Sequence, residues 1–258
     1  MACPSARARP RVGKRDVVSE LERIRAVYAR RRATGRDARY TVFDRAHLFR
    51  LLSLERELVM ALRAEGLTDL AALRVLDVGC GGGWWLRTLL RWGARPAHLA
   101  GIDLLPEAVA ASRAIHPELD VRLGSAEELP FADATFALVS QFTVFSSILD
   151  DGLRRRVATE MQRVLRPDGV LLWYDFTVNP ANPDTRGIGR GELTRLFSGW
   201  RPRVWRVTLA PPLARLVVPR SWLLAELLER LPPLCTHLLA TLRRPAAEPS
   251  APQVHHDV

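Results

Sequence analysis

The chain reads as an α/β fold in which short, mostly parallel strands alternate with helices, and three features predict it. Between Arg74 and Asp175, apolar runs of strand length alternate with amphipathic stretches of helix length. One run, Val75-Leu76-Asp77-Val78, passes straight into Gly79-Cys80-Gly81-Gly82-Gly83 and then a helical segment. A second run, His98 to Asp103, ends in a carboxylate 26 residues after Asp77. A strand, a glycine turn, a helix and an acid-tipped strand form the local frame in which such sheets hold a ribose.

The elements follow in order. Residues 1–15 are rich in Arg and Pro and are expected to be disordered. Residues 17–33 place Val17, Leu21, Ile24 and Tyr28 on one helical face. After a connector at Arg39-Tyr40, a second helix is expected from Ala46 to Ala64. The core then reads as strand 74–78, helix 83–92, strand 98–103, helix 106–115, strand 119–123, a short helical turn at 126–129, strand 136–141, helix 151–165 and strand 169–175. Pro106 suits the first turn of its helix, where the missing N–H costs nothing. Arg166-Pro167-Asp168-Gly169 turns the chain from helix to strand. Asp150-Asp151 reads foremost as the cap of the helix that follows, with an active acid as the alternative. Residues 190–199 are expected to be helical, and 202–209 and 235–242 to be strands. Between them lie Ala210 to Pro219 and an amphipathic helix from Ser221 to Leu231. The expected organisation is a basic tail (1–15), a helical cap (16–72), a main domain (73–244) with a lid-like insertion (210–233), and a disordered tail (245–258).

The glycine turn also says something about charge. Gly79, Gly81 and Gly83 remove side chains where the backbone must turn sharply and approach a ligand. Asp103 offers two carboxylate oxygens, enough to accept from both hydroxyls of a ribose. Asp77 would repel a pyrophosphate on the helix N-terminus, so a cationic or zwitterionic adenosine ligand fits better. S-adenosylmethionine has that character. With Val75-Leu-Asp-Val-Gly-Cys-Gly-Gly-Gly83, Gly101-Ile-Asp-Leu104, Ala126-Glu-Glu-Leu-Pro-Phe131, Phe136-Ala-Leu-Val139 and Arg163-Val-Leu-Arg-Pro-Asp-Gly-Val-Leu171 in this order, the sequence resembles the class I S-adenosylmethionine-dependent methyltransferases of the methyltransferase-11-like group. The resemblance covers roughly residues 73–180. It implies a Rossmann-like seven-stranded sheet, mostly parallel with one antiparallel strand and helices on both faces, the last two strands forming the antiparallel hairpin that closes it. It also implies that the N-terminal helices fold over the cofactor pocket and that the 210–233 insertion builds part of the substrate pocket.

For the site, the resemblance implies cofactor binding by Asp77, Gly79, Gly81, Gly83 and Asp103, with Leu104 either against the adenine or simply packed at the strand end. Ser125-Ala126-Glu127 stands where the family often reads Asp-Ala. A Ser125 hydroxyl accepts more weakly than a carboxylate, which leaves the Ala126 backbone and Glu127 as further adenine candidates. Gln141, at the tip of the fourth strand, is placed to reach the methionine end of the cofactor. Phe142, Phe145, Tyr174, Asp175 and His237 are the substrate-side candidates. Aromatics at strand tips suit an apolar or ring-shaped acceptor, and packing under a lid is the alternative. His47 and His237 are lone histidines in apolar segments, structural or serving as a base. No catalytic residue is assigned and no metal site is expected.

Composition sets the bounds. At 258 residues and 48% hydrophobic content the chain suits one soluble, enzyme-sized domain. No apolar run reaches the roughly 18 residues of a membrane span, and the N-terminus lacks the apolar stretch of a secretory signal. Cys3, Cys80 and Cys235 are few and unpaired in spacing, which suggests a cytoplasmic protein without a metal framework. His255 and His256 sit in a polar tail. Residues 1–63 carry sixteen Lys or Arg against seven Asp or Glu, so nearly all of the net charge of +10 lies there. An ordinary solvated surface is the expected reading of this arm, with anion binding second.

The acceptor is narrowed by absence. Position 140–143 reads Ser-Gln-Phe-Thr and lacks the carbonyl-rich turn that binds an exocyclic amine, and no cysteine is placed for a cytosine-type nucleophile. The expected function is S-adenosylmethionine-dependent methylation of a small molecule, oxygen-directed, on a glycan, polyketide or other secondary metabolite. An RNA methyltransferase using the basic arm and a non-catalytic binding protein of this fold are the alternatives. Nucleic acid is not the expected partner. The apolar 210–231 stretch allows peripheral membrane contact, with a buried lid preferred.

Overall fold

The computed structural model describes residues 14–34, 41–179 and 182–245, with the backbone alone described for residues 14–18. A seven-stranded sheet forms the centre, in the order β3-β2-β1-β4-β5-β7-β6. Its strands are β1 (Val75–Val78), β2 (Leu99–Asp103), β3 (Asp120–Leu123), β4 (Phe136–Phe142), β5 (Leu165–Phe176), β6 (Arg201–Leu209) and β7 (Cys235–Arg243). The first five pair in parallel, while β7 runs antiparallel to both β5 and β6. The expected mixed sheet with one antiparallel strand is therefore present. The chain builds β2 and β3 on one side of β1, then crosses to place β4 on the other. A crevice opens at such a switch, beyond the carboxyl ends of β1 and β4.

Eight α-helices surround the sheet among the described residues: α1 (Lys14–Ala33), α2 (Arg45–Ala64), α3 (Trp84–Arg91), α4 (Pro106–Ile115), α5 (Asp151–Val164), α6 (Arg190–Leu196), α7 (Pro211–Val217) and α8 (Trp222–Glu229). Side chains alternate along each strand, so the sheet has two separate cores. On one face Leu76, Ile102, Val139, Leu171 and Trp173 pack against α1, α5 and α6. On the other Val75, Leu99, Leu138, Leu172 and Leu239 pack against α2, α3 and α4. A third cluster joins Phe49 of α2 to Leu209, Ala214, Val218 and Ala225 under α7 and α8. Asp44 and Asp150 cap α2 and α5, accepting from the amides of His47 and Leu153.

Several boundaries differ from the sequence expectation, each for a local reason. Helix α1 begins at Lys14, inside the stretch expected to be disordered. Of the face expected on α1, Leu21, Ile24 and Tyr28 pack on the sheet, and the Val17 side chain lies outside the description. Residues 126–129 form a turn without a helix, because the Leu129 amide is taken by Glu160 of α5 at 2.8 Å. Helix α6 stops at Leu196, ahead of Gly199 with φ +82°. Strand β5 starts at Leu165, opposite Phe136, and the Arg166–Gly169 turn becomes an irregularity within it. The 210–219 stretch carries the short helix α7, entered through Pro211. The expected tails and the connector at Arg39-Tyr40 lie outside the described residues, apart from Lys14 and Arg15 at the N-terminal end and Pro245 at the C-terminal end.

Candidate functional site

The switch-point crevice is lined by the glycine turn. The amides of Gly79 and Cys80 both donate to the Ile102 carbonyl, at 2.8 and 3.0 Å, which pins the turn to β2. Gly79, Gly81 and Gly83 all have positive φ. The space above Gly81 and Gly82 is open: a Cβ added at either would meet nothing within 4 Å. Asp103, at the end of β2, reaches back to this turn, accepting from the Gly81 amide at 2.7 Å and the Leu105 amide at 2.9 Å. Burial raises its pKa, and these amides oppose the rise.

Asp77 lies deeper. It is 2% exposed and accepts the Ser140 hydroxyl at 2.9 Å. Burial pushes its carboxyl up to about 8, Asp103 adds to the rise, and Ser140 opposes it. A cation arriving beside this carboxyl would favour its ionised form. An open cradle of backbone and two carboxyl groups of raised proton affinity fits a ligand with ribose hydroxyls and positive charge. Cys80 belongs to the turn, but its thiol is buried and its pKa raised, so it is not a nucleophile.

The remaining cofactor-side candidates are distributed unevenly. Leu104 is half-buried and packs toward the α5 side of the core. Ser125 and Glu127 face each other, and Glu127 also forms an ion pair with Arg156 at 2.9 Å. Ala126 packs on the core beside them. Gln141 is fully buried with its amide committed: Oε1 accepts from Val144 N–H at 3.0 Å and Nε2 donates to the Tyr174 carbonyl. The structure thus has Gln141 shaping the loop after β4, which carries Val144 over Gly79.

The five substrate-side candidates split between the two faces of the sheet. Phe142, Tyr174 and His237 share the face of Asp77. Phe142 stands edge-on to Trp84 at 5.6 Å and is tilted against Tyr174 at 5.9 Å, and Tyr174 stacks on His237 at 4.6 Å. The Tyr174 hydroxyl pairs with Thr208 at 2.8 Å. Burial holds the His237 imidazole neutral, its pKa lowered to about 3, with Arg50 and Arg206 adding to the effect. Phe145 and Asp175 lie on the opposite face. Phe145 is fully buried against Trp173 at 4.4 Å. Asp175 is fully buried, accepts from the Ser146 amide at 3.1 Å, and titrates near 6 because of burial. Neither borders the aromatic row, since adjacent residues of a strand point to opposite faces.

Ser140, Val144, Trp84 and Arg50 also line this edge and escaped the sequence reading. Arg50 places its Nε in a buried position with no hydrogen-bond partner, close enough for its charge to act on Tyr174 and His237. It lies within the helix expected from Ala46 to Ala64, and nothing in the sequence linked it to β5. Of the other lone histidine, His47, burial lowers the pKa. Among the described residues no His, Cys, Asp and Glu cluster could hold a metal ion, and no helix is long and apolar enough to cross a membrane.

A family model described as a methyltransferase domain matches residues 75–169. The ubiquinone biosynthesis O-methyltransferase of Azorhizobium caulinodans is 35% identical over 113 residues, covering 42% of this chain and 42% of that protein. The malonyl-[acyl-carrier protein] O-methyltransferase of Erwinia billingiae is 34% identical over 129 residues, covering 50% and 44%. The chain thus spans less than half the length of these two relatives. The crystal structure of an S-adenosylmethionine-dependent methyltransferase from Mesorhizobium loti superposes with a TM-score of 0.53 at 22% identity, covering 72% of this chain and 96% of that one, and shows the shared fold. With a β3-β2-β1-β4-β5-β7-β6 sheet, a glycine turn between two carboxylates and a matching domain model over that turn, residues 75–169 carry a methyltransferase domain, and the chain is similar in sequence and fold to S-adenosylmethionine-dependent methyltransferases.

Proposed function

We propose that the protein methylates a small molecule at oxygen, with a glycan, polyketide or other secondary metabolite as acceptor and S-adenosylmethionine as donor. The observation that carries this reading is the arrangement along one sheet edge. Asp77 and Asp103 flank an open glycine cradle, and a row of Phe142, Tyr174 and His237 continues from it on the same face. Adjacent strands lie about 4.8 Å apart, so Tyr174, two strands from Asp77, is within the reach of one small acceptor.

The cofactor supplies a methyl group on a cationic sulfur, ready for in-line displacement. The chain's residues orient and desolvate. Asp103 retains acceptor capacity on both oxygens beyond the two amides, and we assign it to the ribose. Asp77 provides negative charge for the cationic end. The backbone at Gly79, Gly81 and Gly83 forms the floor, with Leu104 and the Ser125-Ala126-Glu127 turn toward the adenine. Gln141 is a positioning residue that holds the Val144 amide. Phe142, Tyr174 and His237 make the acceptor wall. The neutral, weakly basic His237 and a Tyr174 phenol raised to about 12 are poor proton acceptors. The acceptor's hydroxyl proton then leaves to solvent as the O–CH3 bond forms and the S–CH3 bond breaks, and acceleration rests on orientation, which supplies up to about 7–11 kcal/mol in well-aligned systems. Two free, buried cysteines are in keeping with a cytoplasmic setting.

Calorimetric titration with S-adenosylhomocysteine tests the assignment. We expect micromolar binding, about 8 kcal/mol, lost on Asp103→Ala. Absence of binding to folded wild-type protein would remove the cofactor assignment. Transfer of labelled methyl to candidate hydroxyl acceptors then identifies the substrate.

A further inference from the structure

Helix α8 has two apolar faces. One is ordinary: Ala225 is fully buried, and Trp222 and Leu228 pack with Phe49 of α2 in the third core cluster. The other is made of leucines left in solvent. Leu223, Leu227 and Leu231 follow one another at four-residue spacing, 67%, 49% and 50% exposed, with Leu224 beside them at 46%. Leu216 on α7 adds a further side chain at 58%. Isolated exposed leucines need no explanation, but five within residues 216–231 mark a surface that meets something.

Charge indicates what it meets. Arg215, Arg220 and Arg230 are exposed beside the stripe, and Arg45 donates to the Pro219 carbonyl at its edge. Among the described residues none of these four has a carboxylate within ion-pair distance. The acids of the segment have partners of their own: Glu226, partly buried, accepts from the Trp222 indole, and Glu229, 8% exposed in its side chain, is bound to Ser53, the Leu209 amide and Arg56. The result is an apolar strip with an uncompensated basic rim. A second copy of this chain would bring the same cations face to face. Anionic lipid headgroups would neutralise them while the leucines enter the acyl boundary.

We propose that the α7–α8 face docks the protein on an anionic membrane surface, lying in the interface without spanning it. Helices α7 and α8, which present the stripe, pack on β6, the edge strand next to the β7 that carries His237. Docking there would bring that edge close to the bilayer. The proposal does not depend on the assigned reaction.

Co-sedimentation of the full chain with vesicles tests it, comparing phosphatidylcholine alone with phosphatidylcholine containing phosphatidylglycerol. We expect retention on the anionic vesicles that weakens with added salt. A Leu223→Glu/Leu227→Glu variant should lose on the order of tenfold in partitioning per leucine, with its thermal unfolding unchanged. This variant keeps the basic N-terminal segment, so equal binding by both proteins would assign retention to that segment and overturn the proposal. No retention of wild type at low salt would overturn it too. Sedimentation velocity covers the competing occupant: a wild-type dimer dispersed by the same variant would assign the stripe to a second copy. A variant that fails to fold would be replaced by Leu227→Gln and Arg220→Gln, each expected to weaken retention.

Discussion

At the scale of single residues, the site depends on buried acids whose charge is not yet satisfied. Asp77 holds its proton to about pH 8 because burial outweighs the one hydroxyl that favours its ionised form. That hydroxyl belongs to Ser140, and its removal should leave the carboxyl still harder to ionise. Ser140→Ala is therefore expected to weaken S-adenosylmethionine binding at neutral pH by roughly tenfold or more, the worth of a hydrogen bond to a charged group. The loss should shrink as pH rises and the carboxyl ionises regardless. Titrations across the pH range decide it, and a deficit independent of pH would mean that Ser140 acts through packing. The same reasoning separates Tyr174 from Asp175, neighbours in sequence that the pleat sends to opposite faces. Alternation along a strand could have divided those candidates from the sequence alone, had the register of β5 been known.

At the scale of elements, the glycine turn and the N-terminal helix carry separate expectations. An alanine at Gly79 would take a positive φ and also press its Cβ into Val144. An alanine at Gly81 meets the same backbone penalty of about 1–2 kcal/mol but faces open space. Denaturant titration should therefore find Gly79→Ala clearly less stable than Gly81→Ala, while Gly81→Ala loses cofactor affinity by filling the cradle. Helix α1 is fastened to the loop after β4 through Glu20, which binds Arg23 and accepts from the Leu149 amide at 2.6 Å. Glu20→Ala should cost about 1–3 kcal/mol by leaving that amide unpaired and the guanidinium with the Ser147 carbonyl alone. A change within a few tenths would show that water replaces the bond. The core elements were legible because hydrophobic period, proline and glycine punctuation agreed from Val75 to Phe176. Those that moved were decided by partners distant in sequence: Glu160 seizing the Leu129 amide, or Phe136 pairing with Leu165. The glycine turn and its acids were legible for the same local reason. Arg50 on α2, Val144 in the loop after β4 and Thr208 on β6, with its φ of +68°, come from elements whose docking no local pattern encodes.

At the scale of the whole molecule, stability and ligand binding are linked through pH. A carboxyl whose folded pKa lies above its unfolded value stabilises the native state below the unfolded pKa, and this is lost as pH rises through the folded one. Asp175 passes through its window between its ordinary value of 3.8 and about 6, and Asp77 between 3.8 and about 8. His237 works in the other direction. Its folded pKa near 3 lies below the ordinary 6.5, so its contribution is lost as pH falls through that interval. Between pH 6.5 and 8 Asp77 is the only one of the three still titrating. The thermal midpoint of the free protein should therefore decline over this window, and Asp77→Asn should flatten the decline while abolishing the pH dependence of cofactor affinity. Ligand held at a fixed concentration, a hundredfold above its Kd at pH 6.5, adds about 2.7 kcal/mol there, a rise of roughly 5–10 °C for a chain of this size. If the cation lies beside Asp77, that rise grows from pH 6.5 to 8, because the ionised carboxyl is then neutralised by ligand. Scanning calorimetry with and without S-adenosylmethionine measures both slopes. A ligand-induced rise that stays constant across the window would place the positive charge elsewhere and leave Asp77 a structural acid of the turn.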